Sequence, residues 1–270
     1  HLWLPPAHAG APAAASAVLS ALAVKGSFFI VVRLWLDVMP GIITPAAGQL
    51  LATLGAAAII VGNVVALRQK RLKMLIAYST VAQIGYLFLM FPLAAGLSAM
   101  QLPNDPAVTG GLLQAVSHAT AKAAMFMGAG LIYSTLGHDR IADLAGVGRQ
   151  LPMTLLAFAL GGIALIGLPP AGGFLAKWLL LSAALTTGQW WWVAVMVVGG
   201  LLTSAYVFIV VMRALVAVDP ENTPKMVVPR HREAVVLALA SLSFLLGLAA
   251  LMPVDIVQIG RPQPFAAGLP

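Results

Sequence analysis

Apolar runs near 20 residues long recur along the whole of this 270-residue chain, and they restrict its fold more than any other feature. An α-helix rises about 1.5 Å per residue, so about 20 apolar residues cross a hydrocarbon core about 30 Å thick. Turn residues and charges divide the chain into seven such spans, at roughly 13–36, 46–67, 72–93, 107–135, 152–186, 191–213 and 233–252. Charged residues make up 9% of the chain, against about 25% in an ordinary soluble domain. The expected fold class is therefore an all-α polytopic membrane protein with about seven transmembrane helices, one of them broken at GLPP (167–170).

Between the spans lie segments rich in proline, glycine and polar residues. HLWLPPAHAGAP (1–12) reads as a loop or re-entrant end, GLSAMQLPNDP (96–106) as a polar turn, and HDRIADLAGVGRQ (138–150) and VDPENTPKMVVPRHRE (218–233) as charged loops. The tail RPQPFAAGLP is expected to be loosely placed. The first residue is His1 rather than Met, and no charged leader region or cleavage site is visible, so no signal peptide is expected and the chain reads as a piece of a longer protein, starting within or just after a missing helix.

Alternate loops carry very different charge. One side receives Arg68, Lys70, Arg71, Lys73, Arg140, Arg149, Arg213, Lys225, Arg230 and Arg232; the other receives Arg33 and Arg261. Ten basic residues against two place the first group in the cytoplasm and the C-terminus outside. Topology thus accounts for the net charge of +7, and nucleic acid is excluded as a partner. Trp190, Trp191 and Trp192 read as an interfacial belt on the outer side. Cysteine is absent, which excludes disulfides, thiolate metal sites and cysteine-held iron–sulfur clusters. No metal-ligand cluster, glycine-rich nucleotide loop or nucleophile–base arrangement is visible, so neither a metal nor a cofactor is expected. Electron transfer is not encoded in the chain.

Three cations remain: Lys25, Lys122 and Lys177, all well inside spans, whereas the eight acids fall in loops or at helix ends. A charge at mid-membrane costs roughly 2.5–3.5 kcal/mol, so three without carboxylate partners point to function. For Lys25 the simpler alternative is snorkelling to an interface. Lys122 belongs to QAVSHATAKAAMF, where Gln114, His118 and Lys122 recur at i, i+4 and i+8 and form one polar stripe. An imidazole and an amine one turn apart can pass a proton, directly or through water. The competing reading is a packing histidine bonded to a carbonyl.

In IGLPPAGGFLAKW, Pro169 and Pro170 lack N–H groups, which leaves the carbonyls of Leu165 and Ile166 without their usual donors. Bare backbone at membrane depth survives only against protein or a wet cavity. Gly172 and Gly173 are expected to permit a sharp reversal, after which Lys177 sits about one turn into a second half-helix, near the positive end of its dipole. A plain proline kink with a structural lysine is the alternative. Ser79, Gln83, Thr203 and Ser204, together with Asn63, Tyr78, Thr80 and Tyr206, could line a hydrated path, although each alone reads as a packing contact. His8 reads as a lone loop histidine.

Four stretches now carry a resemblance. HLWLPPAHAGAP followed by SALAVK, then LKMLIAYSTVAQIGY, SHATAKAAMF and GLPPAGGFLAKW, resemble in order the motifs of the antiporter-like subunits of respiratory complex I, Mrp-type Na+/H+ antiporters and membrane-bound hydrogenases. The resemblance covers nearly the whole chain. It implies a fourteen-helix bundle of two inverted five-helix repeats, of which this chain would hold the second. Residues 1–44 would end the first repeat, 45–217 would form the second, and 218–270 would hold the final helix and tail. It further implies a proton relay through Lys25, His118, Lys122 and Lys177, with the family's glutamate–lysine pair upstream of His1. Pro6 stands where the family usually has Asp, and an acid common near Gly10 is missing. Lysine at 177, where one complex I subunit type has glutamate, fits Mrp-type D subunits more closely.

The implied function is proton translocation, with cation/proton antiport involving Na+ left open, by a multi-pass subunit in a bacterial inner membrane. Its partners would be the lipid bilayer and other membrane subunits of a NADH dehydrogenase, antiporter or hydrogenase complex. The alternative is a structural or assembly subunit with a vestigial path. A solitary secondary transporter would need a substrate site that the sequence does not display.

Overall fold

A computed structural model of the chain describes residues 2–38, 44–94, 105–217 and 226–248. Its principal helices are α1 (Leu4–Gly10), α2 (Ala13–Leu36), α3 (Pro45–Leu67), α4 (Leu72–Leu93), α5 (Pro106–Leu136), α6 (Pro152–Ile166), α7 (Gly172–Thr186), α8 (Trp190–Leu215) and α9 (Arg230–Leu248). Short helical turns at Ile141–Asp143 and Val147–Gln150 lie between α5 and α6. The described residues contain no β-strand, only an isolated bridge between Arg71 and Arg140. Most of the expected turn at 96–106, the first half of the expected loop at 218–233 with Lys225, and the C-terminal tail with Arg261 lie outside the described residues.

Five helices, α2, α3, α4, α8 and α9, are long and apolar enough to cross a membrane. Helix α5 has 31 residues, yet every 18-residue window within it includes Lys122, whose charge lowers its hydropathy. The stretch 152–186 is two helices of 15 residues. Each is about 22 Å long, short of a full hydrocarbon core. The opening segment is not all loop, because Pro5 and Pro6 start α1, where a missing N–H costs nothing.

Helix ends follow local chemistry. Asp105 caps α5 by accepting from the N–H groups of Ala107 and Val108 at 2.9 and 3.0 Å, and Gly137 ends that helix at φ 76°. Two other acids cap helices across space. The Asp139 carboxylate accepts from Arg71 Nε at 2.9 Å and the Lys73 N–H at 3.4 Å, at the start of α4. Glu233, in the first turn of α9, is buried and accepts from the N–H and hydroxyl of Thr154 in α6, each at 3.0 Å. Asp139 and Glu233 thus neutralise helix N-termini at one end of the bundle. That end also gathers the basic segments: Leu72 N donates to Asp139 O, Ile141 N to Lys70 O, and Gly146 N to Val216 O.

Helix α4 is the central element, with 78% of its apolar window buried. Between apolar helices in lipid, close packing replaces the hydrophobic drive, and small residues allow the approach. Gly55 of α3 and Gly85 of α4 meet so closely that a Cβ on Gly85 would stand 2.3 Å from the Gly55 carbonyl oxygen. The apolar core forms two large clusters and a small third one, Ala124, Ala157, Val236 and Ala240, where α5, α6 and α9 meet. Of the large ones, one, around Leu72, Ile76, Phe126, Ile132 and Phe158, lies toward the basic loops; the other gathers Phe28, Tyr86, Phe91, Leu180 and Trp192. Along α4 the gap between them holds Ser79, Thr80 and Gln83; along α5 it holds Gln114, Ser117 and His118; along α7 it holds Lys177. A polar layer is therefore packed between two apolar ones.

Candidate functional site

The polar layer is organised on α4, whose Ser79, Thr80 and Gln83 are all buried. Lys122, fully buried on α5, donates to the Ile76 carbonyl at 2.9 Å and to Ser79 Oγ. Thr80 Oγ1 also donates to Ile76 O at 3.0 Å and lies 3.2 Å from Ser20 Oγ of α2. Lys25, half-buried on α2, donates to the backbone carbonyl of the same Ser20. Residues Leu19–Ala23 form a π-turn just before it. Such widened turns are frequent at functional sites.

One turn further along α4, Gln83 joins a second group. Its Oε1 accepts from Gln114 Nε2 at 2.9 Å, and its Nε2 donates to Leu165 O at 3.1 Å. Leu165 O also accepts from Lys177 Nζ at 2.5 Å, and Ile166 O accepts from it at 3.2 Å. These are the carbonyls that Pro169 and Pro170 deprive of donors, so the break supplies the amine's acceptors. The amine also stands 4.1 Å from the centroid of the Tyr86 ring, a cation–π placement. From its place in the second turn of α7, the amine reaches back to the C-terminal carbonyls of α6, the negative end of that dipole.

The reversal also differs from the expected one. Gly167 makes it, at φ 87°, and a Cβ there would stand 2.8 Å from Lys177 Cδ. Gly172 and Gly173 are instead the first residues of α7. They are needed for close contact: a Cβ on Gly173 would stand 1.9 Å from Ala164 O. A cleft of about 180 Å3, lined by Gly167, Phe174, Trp178, Met196 and Gly200, opens beside Lys177.

His118 lies between Gln114 and Lys122 on α5, and the protein provides neither buried ring nitrogen with a hydrogen-bond partner. It is within electrostatic reach of Lys25, Lys122 and Lys177. Thr203 turns inward and donates to Asn63 Oδ1 at 3.1 Å and to Gly199 O at 2.8 Å, tying α8 to α3. Ser204 faces the other way and donates to Leu201 O of its own helix, so it does not line the layer. Adjacent residues on a helix point about 100° apart, which is why one is inside and the other is not. Of the tryptophans, Trp190 and Trp191 are exposed and Trp192 is buried, donating to Gln189 Oε1 at 3.1 Å.

Three residues gain importance only in three dimensions. Tyr86 faces Lys177, and its hydroxyl donates to Met196 O at 3.1 Å. Tyr206 buries its hydroxyl among Ser79, Gln83 and Thr203, between the Lys122 and Lys177 groups. His8 is wholly buried in α1 rather than solitary in a loop. Among the described residues no acid pairs with Lys25, Lys122 or Lys177, and no group of His, Asp and Glu could hold a metal ion.

A helix bundle with several helices apolar enough to cross a membrane, and with lysines buried in a polar layer, defines a polytopic membrane protein. Residues 1–203 match the family described as "NADH:quinone oxidoreductase/Mrp antiporter, TM", and the chain belongs to that family. Among curated relatives it is 35% identical over 216 residues to NADH-quinone oxidoreductase subunit N of Desulforudis audaxviator, covering 79% of this chain and 41% of that protein. It is 33% identical over 185 residues to Hydrogenase-4 component B of Escherichia coli, covering 66% of this chain and 27% of that one. The chain thus spans less than half the length of either relative. Its fold matches a chain of the Mrp complex from Dietzia sp. with a TM-score of 0.84 at 22% identity, over 96% of this chain and 54% of the other.

Proposed function

We propose that the chain is a proton-translocating part of a membrane subunit within a multisubunit complex. In this reading protons pass among Lys25, Lys122 with His118, and Lys177. The observation that carries it is the buried polar layer: Ser20, Thr80 and the Ile76 carbonyl link the Lys25 region to Lys122, while Gln83, Gln114 and the Leu165 carbonyl lead to Lys177. One turn of α4, from Ser79 to Gln83, separates the two groups, with the Tyr206 hydroxyl beside both. A lysine in a relay must exist as amine and as ammonium. Carbonyls and an aromatic face stabilise the cation without fixing it as a carboxylate would.

On this reading α6 and α7 form one broken crossing, giving seven in all. Residues 45–217 form an inverted repeat, with 1–44 ending a preceding one and 218–270 supplying the last helix and tail. The basic end faces the cytoplasm of a bacterial cell, and lipid and other membrane subunits cover the outer faces. Membership of the family supports this setting. The test is Lys177→Met in the intact subunit, with its complex reconstituted in vesicles. Proton flux should vanish while assembly is retained. Wild-type flux in that variant would contradict the relay and leave a structural or assembly role.

A further inference from the structure

The i+4 row on α5 does not stop at Lys122. Gln114, His118 and Lys122 are followed by Phe126, Gly130 and Ser134, a row winding slowly round the helix toward the basic end. Gly130 and Ser134 line a cleft of about 420 Å3, together with Arg71, Lys73, Tyr133 and residues 9–13. Between this cleft and Lys122 the row offers only the Phe126 ring, which cannot carry a proton. His8 stacks on that ring, with centroids 4.8 Å apart and planes at 25°. His8 has no solvent exposure, and neither of its ring nitrogens has a hydrogen-bond partner in the protein. Its neighbours fix its place: Ser16 Oγ holds the His8 carbonyl at 2.8 Å, and Lys73 Nζ holds the Ala11 carbonyl at 2.6 Å beside the cleft.

Packing alone does not account for an imidazole here. A phenyl ring would stack on Phe126 equally well, without burying two unpaired nitrogens at a cost of about 1–3 kcal/mol each. We propose that His8 is a proton-exchange station joining Lys122 to the basic end of the bundle through this cleft. The neutral ring takes a proton at one nitrogen from the Lys122 side, directly or through water, and releases one from the other nitrogen toward the cleft. Reverse traffic loads Lys122. The net charge of the ring is unchanged after each passage. The inference rests on the proposed relay, in which Lys122 carries protons.

The experiment uses the intact subunit in its native complex, reconstituted in vesicles with a pH-sensitive dye. Three proteins are compared: wild type, His8→Ala and Lys122→Met. The station expects His8→Ala to slow proton flux by about tenfold or more, a lower bound for losing one positioned proton carrier. Added imidazole, small enough for the cleft, should restore much of it. Unchanged flux in His8→Ala, or a loss that imidazole does not relieve in an assembled complex, overturns the station. Should His8→Ala fail to assemble, His8→Gln replaces it: this variant keeps polar bulk but cannot exchange protons near neutral pH, and wild-type flux in it overturns the station equally. Lys122→Met separates the two ideas. If it abolishes flux while the His8 variants pump normally, the station alone fails. If it too pumps normally, the relay fails with it.

Discussion

At the scale of the residue, His8 makes a stability prediction that needs no pumping assay. Burial first, then the charges of Lys122 on α5, Lys25 on α2 and Lys73 on α4, push its pKa from 6.5 down to about 4. The folded protein therefore holds a neutral ring where the unfolded chain takes up a proton. The contribution of neutral His8 is intact above pH 6.5 and is lost as pH falls toward 4. A shift of that size corresponds to about 3 kcal/mol at most. Thermal unfolding in detergent should show wild type losing more stability between pH 7 and pH 5 than His8→Phe does; equal losses would contradict it. The three lysines were legible in the sequence because a charge inside an apolar run stands out. Part of the surroundings of Lys177 was legible too, since two prolines identify which carbonyls lack donors. The placements of His8, Tyr86 and Tyr206 were not, because nothing local tells which distant element an aromatic side chain will face. Thr203 and Ser204 were equally inseparable in sequence.

At the scale of the element, the joint between α6 and α7 carries the clearest prediction. Gly167 has φ 87°, and a side chain there meets Lys177. Gly167→Ala should cost about 1–2 kcal/mol for the left-handed backbone alone and displace the lysine from its carbonyls, lowering both melting temperature and flux. A variant matching wild type in both would show that the joint tolerates another conformation. The Glu233 cap is a separate test. Glu233→Ala removes the acceptor for the Thr154 N–H and hydroxyl where α9 meets α6, which should cost about 1–3 kcal/mol in thermal or denaturant unfolding. Helix positions followed from apolar run length and from Pro, Asp and Gly at the ends, so the observed bounds lie near those expected. The site of the reversal did not follow. Sequence shows that glycines are present, but not whether a given one supplies a turn or a close contact.

At the scale of the whole molecule, the arrangement is a polar layer between two apolar clusters, crossed by α2, α4, α5 and α7. Its members are dispersed over more than 150 residues of sequence, from Ser20 to Lys177. What unites them is α4, whose polar side chains meet α2 and α5 and, through Gln83, the end of α6. This convergence was beyond the sequence, which displayed the lysines as separate sites in separate spans. Lys122 is the most enclosed of the three and sits where the layer and the His118 row intersect. Proton flux through the reconstituted complex with Lys122→Met is therefore the most direct measurement. A relay expects flux to fall to the level of empty vesicles with assembly unchanged; flux equal to that of wild type would contradict it.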